Sequence, residues 1–340
     1  MWDAPVDLAA ALERVGSGIG GALAAAAPGW LALGVLLHVA NQVTRGCGWL
    51  AILRAAAGRE PTLRRRDVVG AWIAGAGAGG IVSARGGDAV RVVLVGRRVP
   101  QAGAPCLAGT LVAEGAGELA VGMVLIAVAL LAGVGPHMGV PATAALWLVP
   151  AALLGLVLYA VGRRTARVRR VAAGVAAGCA PLREPGTYAR RVLPWQLASR
   201  ACRAAALACF LAAFGLPVTP LVVLLVMMTQ GGARLVPFAP AAVGAGAAML
   251  AASFEPVTGT AVPASQLAAF FVGTSTALTI VGTVLSLAIC LRMVGRAAVV
   301  EAVRLARRGG QASANAGLSA VAGADTGRPH LERAATVPTP

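Results

Sequence analysis

Polar and charged side chains recur at helical spacing inside the apolar segments of this sequence. In residues 28–54, four of them follow one another at positions i, i+3, i+4 and i+7: His38, Asn41, Gln42 and Arg45. Residues three and four apart lie on one face of a helix, so this spacing predicts a polar stripe. The arginine guanidinium is a planar fork that matches phosphate oxygens. The pattern therefore favours binding of an anionic group.

Other segments repeat this pattern. Residues 103–133 and 192–214 each carry polar groups at helical spacing, and three charged residues follow the glycine-rich stretch 75–87. A charged side chain in contact with lipid costs several kcal/mol, so we expect these faces to turn inward and form a polar interior with more positive than negative charge. The predicted headgroup-binding residues are Arg45, Arg85, Asp88, Arg91, Glu114, Arg200 and Arg203; the predicted cavity-lining residues are His38, Asn41, Gln42, Glu118 and Gln196.

A structural role for these charges is the alternative. Arg200, Arg203 and Glu114 are also the residue types that pair across helices to hold a bundle together. Glu114 and Glu118 lie four apart on one face, but as an acid–base pair for catalysis they are a weak signal. The spacing alone leaves ligand binding and structural pairing both open.

The composition is that of a membrane protein. The 340 residues are 58% apolar and 12% charged, and the mean hydropathy is +0.78. Several apolar runs reach the length that crosses a bilayer, which predicts an all-α, polytopic membrane helix bundle. The net charge of +16 is explained by basic loops that face the cytoplasm and anionic lipid, so we expect no nucleic-acid partner. The predicted spans are 28–54, 103–133, 142–162, 192–214 and 264–292.

Arginine placement orients the predicted spans. Arginines cluster in residues 59–66, 163–191 and 292–304, whereas the loops around 134–141 and 255–263 have none. The positive-inside rule then places the N-terminus outside and the C-terminus in the cytoplasm, in a bacterial inner membrane. We expect a surface helix or lead-in over 1–27, a transmembrane domain over 28–294, and a basic, then disordered, cytoplasmic tail over 295–340.

Two apolar stretches, 67–98 and 218–254, are interrupted by glycine or proline. Their flanking loops place both ends of each stretch on one side of the membrane, which predicts two re-entrant helical hairpins that enter from opposite faces. The alternative for the second stretch is two ordinary short helices, 218–236 and 239–254. We expect an opened backbone around 75–87, with a helix that begins near Asp88 and exposed amides as extra donors. The predicted re-entrant backbone positions are Gly86, Gly87, Pro237, Pro240 and Gly244.

Familiar enzyme motifs do not occur. The glycine-rich stretch has no following Lys-Ser/Thr of a P-loop, and the chain has neither HExxH nor GxSxG. The six cysteines and three histidines are scattered, with no CxxC spacing. We therefore expect no metal, no cofactor and no enzymatic activity.

From Arg45 to Leu125 the chain resembles the transmembrane region of lysylphosphatidylglycerol synthases, a flippase-like membrane family. Its arginine–tryptophan pair is similar to "RGCGW" (45–49), and its "P-x-R-x-G-E/D-x-x-R" element to "SARGGDAVR" (83–91), with Ser83 in place of proline. A third element of the family, "E-R-x-x-D", is similar to "EGAGE" (114–118), which keeps the glutamate as Glu114. "PFAPAAVGAGA" (237–247) is similar to a final proline–glycine element, with alanine at or near the position of its acidic residue.

The resemblance implies a protein that handles lipids. We expect a lipid transporter that binds an anionic headgroup, either of a phospholipid or of a polyprenyl-phosphate-linked precursor. Family members with a soluble transferase domain perform aminoacyl transfer, and we expect no such domain here. The alternative is a membrane scaffold or accessory subunit that positions an envelope-synthesis enzyme and transports nothing; a membrane-embedded transferase ranks last.

Overall fold

The computed structural model describes residues 21, 24–56, 63–81, 84–133, 165–233 and 239–295. All regular secondary structure in these ranges is helical, which confirms the all-α class. Short 3-10 turns lie at Pro100–Ala102 and Ala180–Arg183. The helices are α1 (Pro28–Ala56), α2 (Arg65–Ile81), α3 (Ala84–Gly96), α4 (Gly103–Leu131), α5 (Ala166–Gly178), α6 (Pro185–Arg191), α7 (Leu193–Ala213), α8 (Pro220–Ala233), α9 (Ala239–Thr258) and α10 (Ala264–Val294).

Four predicted spans correspond closely to α1, α4, α7 and α10. The fifth, 142–162, lies outside the described residues, as do residues 1–20 and the tail 296–340. Within the described ranges, two helical stretches are long and apolar enough to cross a membrane, Pro100–Leu131 and Ala264–Met293. The helix ends predicted from apolar periodicity are thus accurate to within a few residues.

The chain divides into two compact units, Met1–Ile289 and Cys290–Pro340. In the second unit the described residues are the final helical turn, to Val294, and Gly295. The first unit contains the helix bundle and every feature discussed below.

An aromatic core joins α7 to the helices that follow it. Phe210 and Phe214 at the end of α7 pack with Phe254 of α9 and Phe270 of α10, and all four are buried. Phe214 and Phe270 meet edge to face with ring centroids 5.8 Å apart, which is a favoured aromatic geometry. α1 packs along α7, so this core also fixes α1, the helix that carries the first polar stripe.

α2 and α3 pack against each other as a helical hairpin, but its glycines do not open the backbone. That expectation was wrong: residues 75–79 are helical, and α3 begins at Ala84, so Gly86 and Gly87 lie inside it. A Cβ atom on Gly75 would lie 2.6 Å from the Gly87 carbonyl oxygen. The glycines are required because the two backbones approach too closely for side chains.

The second interrupted stretch forms α8 and α9, which also pack together. Pro237 lies outside the described residues, Pro240 is in the first turn of α9, and Gly244 is exposed within α9. Gly244 is helical, and the interruption between the two helices falls at residues 234–238, which lie outside the described ranges. The stretch contains two helices, and whether either hairpin enters and leaves the membrane on one side stays a prediction.

Gly87→Ala is expected to destabilise the protein by about 1–3 kcal/mol, because its Cβ would meet the Gly75 carbonyl oxygen at a contact of two helix backbones. Gly122→Ala is the matched control: nothing lies within 4 Å of its added Cβ, and alanine favours helix. Thermal unfolding in detergent measures both. Equal melting temperatures for the two variants would contradict the close packing of this hairpin.

Candidate functional site

Arg45 joins α1 to α4 through two carboxylates. Its Nη2 atom donates to Glu114 Oε1 at 2.9 Å and to Glu118 Oε2 at 2.6 Å. The arginine side chain is 19% exposed and that of Glu114 is 10% exposed, so this ion pair is largely removed from solvent. The two glutamates lie one helical turn apart, which is why a single guanidinium reaches both.

The Trp72 ring of α2 lies against two guanidinium groups. Its centroid is 3.8 Å from the Arg91 Cζ atom and 4.9 Å from the Arg45 Cζ atom. A cation over an indole face is attracted by the ring electrons, most strongly where water is excluded, and Trp72 is fully buried. The indole Nε1 donates to Gln42 Oε1 at 3.2 Å. One side chain thus connects α1, α2 and α3.

Trp49 extends this aromatic contact toward α4. Its ring centroid lies 5.7 Å from that of Trp72, and its Nε1 donates to Thr110 Oγ1 at 3.0 Å. Trp49 is also fully buried. The two indoles therefore form a rigid apolar support beside the guanidinium groups.

Two further ion pairs complete the arginine–carboxylate cluster, defined here as Arg45, Arg91, Arg200, Asp88, Glu114 and Glu118. Arg91 Nη1 donates to Asp88 Oδ1 at 2.6 Å. Arg200 of α7 donates to the Glu118 carbonyl oxygen at 3.3 Å and lies 3.6 Å from its carboxylate. Within this cluster the three arginines are matched by three acids. The excess of positive charge expected for the wider polar interior, which includes Arg85 and Arg203, stays a prediction.

The cluster nonetheless contains unpaired donors. The Nε atoms of Arg45 and Arg91 are buried and have no hydrogen-bond partner among the described residues. A buried charged donor without a partner costs free energy, so such groups in a folded protein call for an explanation. An oxyanion is the natural acceptor for both.

His38 and Gln42 continue the α1 polar stripe beyond Trp72. Gln42 Nε2 lies 3.3 Å from His38 Nε2, and both residues line a cavity of about 220 Å³ between α1, α2 and α10. Asn41 is buried. His38 and Gln42 thus lie beside a cavity, and the hydrogen bond from Trp72 to Gln42 links its wall to the arginine–carboxylate cluster. Whether this cavity receives a lipid headgroup stays a prediction.

Gln196 and Tyr188 fix α4 against α6 and α7. Gln196 Nε2 donates to the Glu114 carbonyl oxygen at 3.4 Å and to the Tyr188 hydroxyl at 3.0 Å. Tyr188 in turn donates to the Ala113 carbonyl oxygen at 3.3 Å. Burial raises the pKa of the Tyr188 phenol, so it stays protonated and able to donate at neutral pH.

Two predicted arginines are not placed in the cluster. Arg203 donates to Gln230 Oε1 of α8 at 2.9 Å. Arg85 lies in the first turn of α3, and its side chain is outside the described part of the structure. A headgroup-binding role for these two residues, as for the cluster, stays a prediction.

Sequence reasoning missed Trp72. It is a tryptophan within a segment of small residues, "GAWIAGAGAGG" (70–80), and that contrast was the available signal. Tyr188 was also missed as a partner of Gln196, because their contact depends on how separate helices pack. Within the described ranges, no three His, Cys, Asp or Glu side chains are arranged to hold a metal ion.

Comparison with known proteins identifies the family. Residues 9–286, most of the chain, match the family described as the lysylphosphatidylglycerol synthase TM region. No curated protein and no solved structure matches the chain. The match spans the helices that carry the arginine–carboxylate cluster. The chain therefore belongs to the lysylphosphatidylglycerol synthase TM region family and is a membrane protein of this lipid-related group.

Proposed function

We propose that this protein binds the anionic headgroup of a membrane lipid at the arginine–carboxylate cluster and helps that lipid cross the bacterial inner membrane without changing it chemically. The observation that carries the proposal is the pair of buried guanidinium groups on Trp72, each with an Nε–H that has no hydrogen-bond partner in the part of the chain that the structure describes. A phosphate oxygen that accepts from these donors removes an existing cost and gains charge-assisted hydrogen bonds.

The carboxylates have a defined part in this proposal. In the lipid-free protein they hold the arginines in place, and on binding they compete with the phosphate, which limits affinity so that the lipid can leave. Asp88 is the accessible partner, with a side chain 51% exposed, whereas Arg91 is largely buried. Displacement of Asp88 by a phosphate oxygen is therefore the exchange that needs the least rearrangement.

The membrane orientation belongs to the same proposal. The N-terminus lies outside and the C-terminus in the cytoplasm, with the α2–α3 and α8–α9 hairpins entering from opposite faces. Catalysis is not part of it: the proposal assigns Glu114 and Glu118 to holding Arg45 in place.

Arg91→Gln is expected to slow lipid movement about tenfold, since it removes a charged donor from the headgroup site while keeping a polar side chain. The measurement is the transfer of fluorescent phosphatidylglycerol between leaflets of proteoliposomes. Arg170→Gln, at an exposed position on α5, is the control and should transfer lipid at the wild-type rate. Equal transfer by wild type and Arg91→Gln would refute this site.

A scaffold that positions an envelope-synthesis enzyme is the second candidate. One observation favours it: every arginine of the arginine–carboxylate cluster already contacts an acid, so structural pairing alone accounts for those contacts. Crosslinking in cells followed by lipid analysis separates the two functions. A scaffold retains a specific protein partner and no stoichiometric lipid, whereas a transporter retains lipid.

A further inference from the structure

A groove of about 300 Å³ lies between α4, α6 and α7, apart from the Trp72 contacts. Its walls are apolar and come from Ala120 and Val121 of α4, Leu182 and Pro185 near α6, and Leu193 of α7. The volume is about ten times that of a water molecule in the liquid, which accommodates a segment of an acyl chain. Tyr188 and Gln196 form its polar part.

The groove lies at a boundary between apolar and basic surface. On one side is the exposed apolar face of α4, where Val124 is 63% exposed and Val128 is 48% exposed. On the other side, Arg183 directly follows the lining residue Leu182, and Arg190 directly follows Ala189; both arginines are exposed. Residues 163–191 contain eight arginines and a single acidic residue, Glu184. An occupant that matches both surfaces has an apolar chain and a negative charge.

A second observation argues against a purely apolar occupant. Gln196 is 6% exposed, and its Oε1 atom has no hydrogen-bond partner among the described residues. Filling the groove with hydrocarbon alone would leave this acceptor unsatisfied, which is costly. Gln196 lines the groove, and a rotation of its buried amide toward the groove would let a lipid with hydroxyl groups near its phosphate supply a donor.

We propose that this groove binds one anionic phospholipid of the cytoplasmic leaflet, with an acyl chain along Ala120 and Val121 and the phosphate beside Arg183 and Arg190. Basic residues at the cytoplasmic surface attract anionic lipid, and here they flank an apolar groove that continues onto the exposed face of α4. This inference takes the membrane orientation from the proposed function but not the transport step, because the lipid remains bound here rather than crossing.

A volume test uses two alanines of the same helix. Ala120→Leu fills the groove, whereas Ala127→Leu changes an exposed position of α4 away from it. The probe is short-chain phosphatidylglycerol titrated onto the purified full chain and followed by native mass spectrometry. Ala120→Leu should raise the apparent Kd of the groove lipid about tenfold, and Ala127→Leu should leave it unchanged. Equal effects of the two variants overturn the proposal.

A charge test uses two exposed arginines. Arg190→Gln should lower the preference for phosphatidylglycerol over phosphatidylcholine of the same chain length about fivefold, and Arg170→Gln should lower it less than about twofold. If both variants lower it equally, the attraction is diffuse and no lipid site exists at the groove.

A third measurement uses only the wild-type protein, so misfolding of a variant cannot affect its result. Wild-type protein in nanodiscs is photolabelled with phosphatidylglycerol that carries a diazirine on its acyl chain, and labelled peptides are mapped by mass spectrometry. The proposal predicts label on residues 182–193 and on α4 near Ala120, competed by unlabelled phosphatidylglycerol and not by phosphatidylcholine. Label confined to other surfaces contradicts it. These readouts do not involve transport, so they can fail while lipid transfer is intact.

Discussion

Arg45→Met is expected to destabilise the protein by about 3–5 kcal/mol, more than any other single change in the arginine–carboxylate cluster. Removing this guanidinium leaves Glu114 buried without a counter-charge and deprives Glu118 of its closest partner. An uncompensated buried carboxylate is far more costly than the loss of one surface contact. Thermal unfolding in detergent should show a clearly lowered melting temperature.

The double variant Arg45→Met/Glu114→Leu separates two contributions to this destabilisation: the loss of the ion pair, and the burial of the Glu114 carboxylate without Arg45. It replaces a buried ion pair with apolar side chains, while Glu118 keeps Arg200 as a neighbour. We expect it to recover a large part of the stability that Arg45→Met loses, because no buried charge at position 114 remains. A double variant less stable than the single one, or a single variant that melts like wild type, would show that the pair is not buried as described.

Substitutions of Trp72 are expected to have the second largest effect. Trp72→Leu should cost about 3 kcal/mol or more, because a fully buried indole is replaced by a smaller side chain and both guanidinium groups lose their aromatic face. Trp72→Phe is the matched variant: it keeps a ring under the arginines and loses only the hydrogen bond to Gln42 and some volume.

The ranking of the two variants tests the role of the ring. Trp72→Phe should be more stable than Trp72→Leu by about 1 kcal/mol and should retain lipid binding, measured by thermal unfolding and native mass spectrometry. If leucine and phenylalanine behave alike in both assays, the ring face does not support the arginines.

Helices and their polar faces were predictable because periodicity is a local property. The spacing of His38, Gln42 and Arg45 places them on one face, and the cost of a charge in lipid directs that face inward. The same argument predicts that Arg45, Asp88, Arg91, Glu114 and Arg200 converge, and the structure shows them in ion pairs near one another, while their headgroup-binding role stays a prediction. Periodicity does not specify which side chains pair. That Arg45 contacts both Glu114 and Glu118 could be seen only from the packing of α1 on α4.

Glycine was the main source of error. A run such as 75–80 permits either an opened backbone or two closely packed helices, since both require the absence of a side chain. Which of the two forms depends on the part of the chain that packs against the glycines. Here the Gly87 carbonyl oxygen lies beside Gly75, so the two helices pack closely. Trp72 was missed for a related reason: its importance comes from Arg45 and Arg91, which approach it from other helices.

The most direct test of the headgroup site is a count of bound lipid. Wild-type protein and Arg91→Gln are purified from the same membranes in mild detergent, and native mass spectrometry counts the anionic lipids retained per chain. A headgroup site beside Trp72 predicts that Arg91→Gln retains one anionic lipid fewer than wild type, with Arg170→Gln unchanged. The same number of lipids on wild type and Arg91→Gln would contradict it.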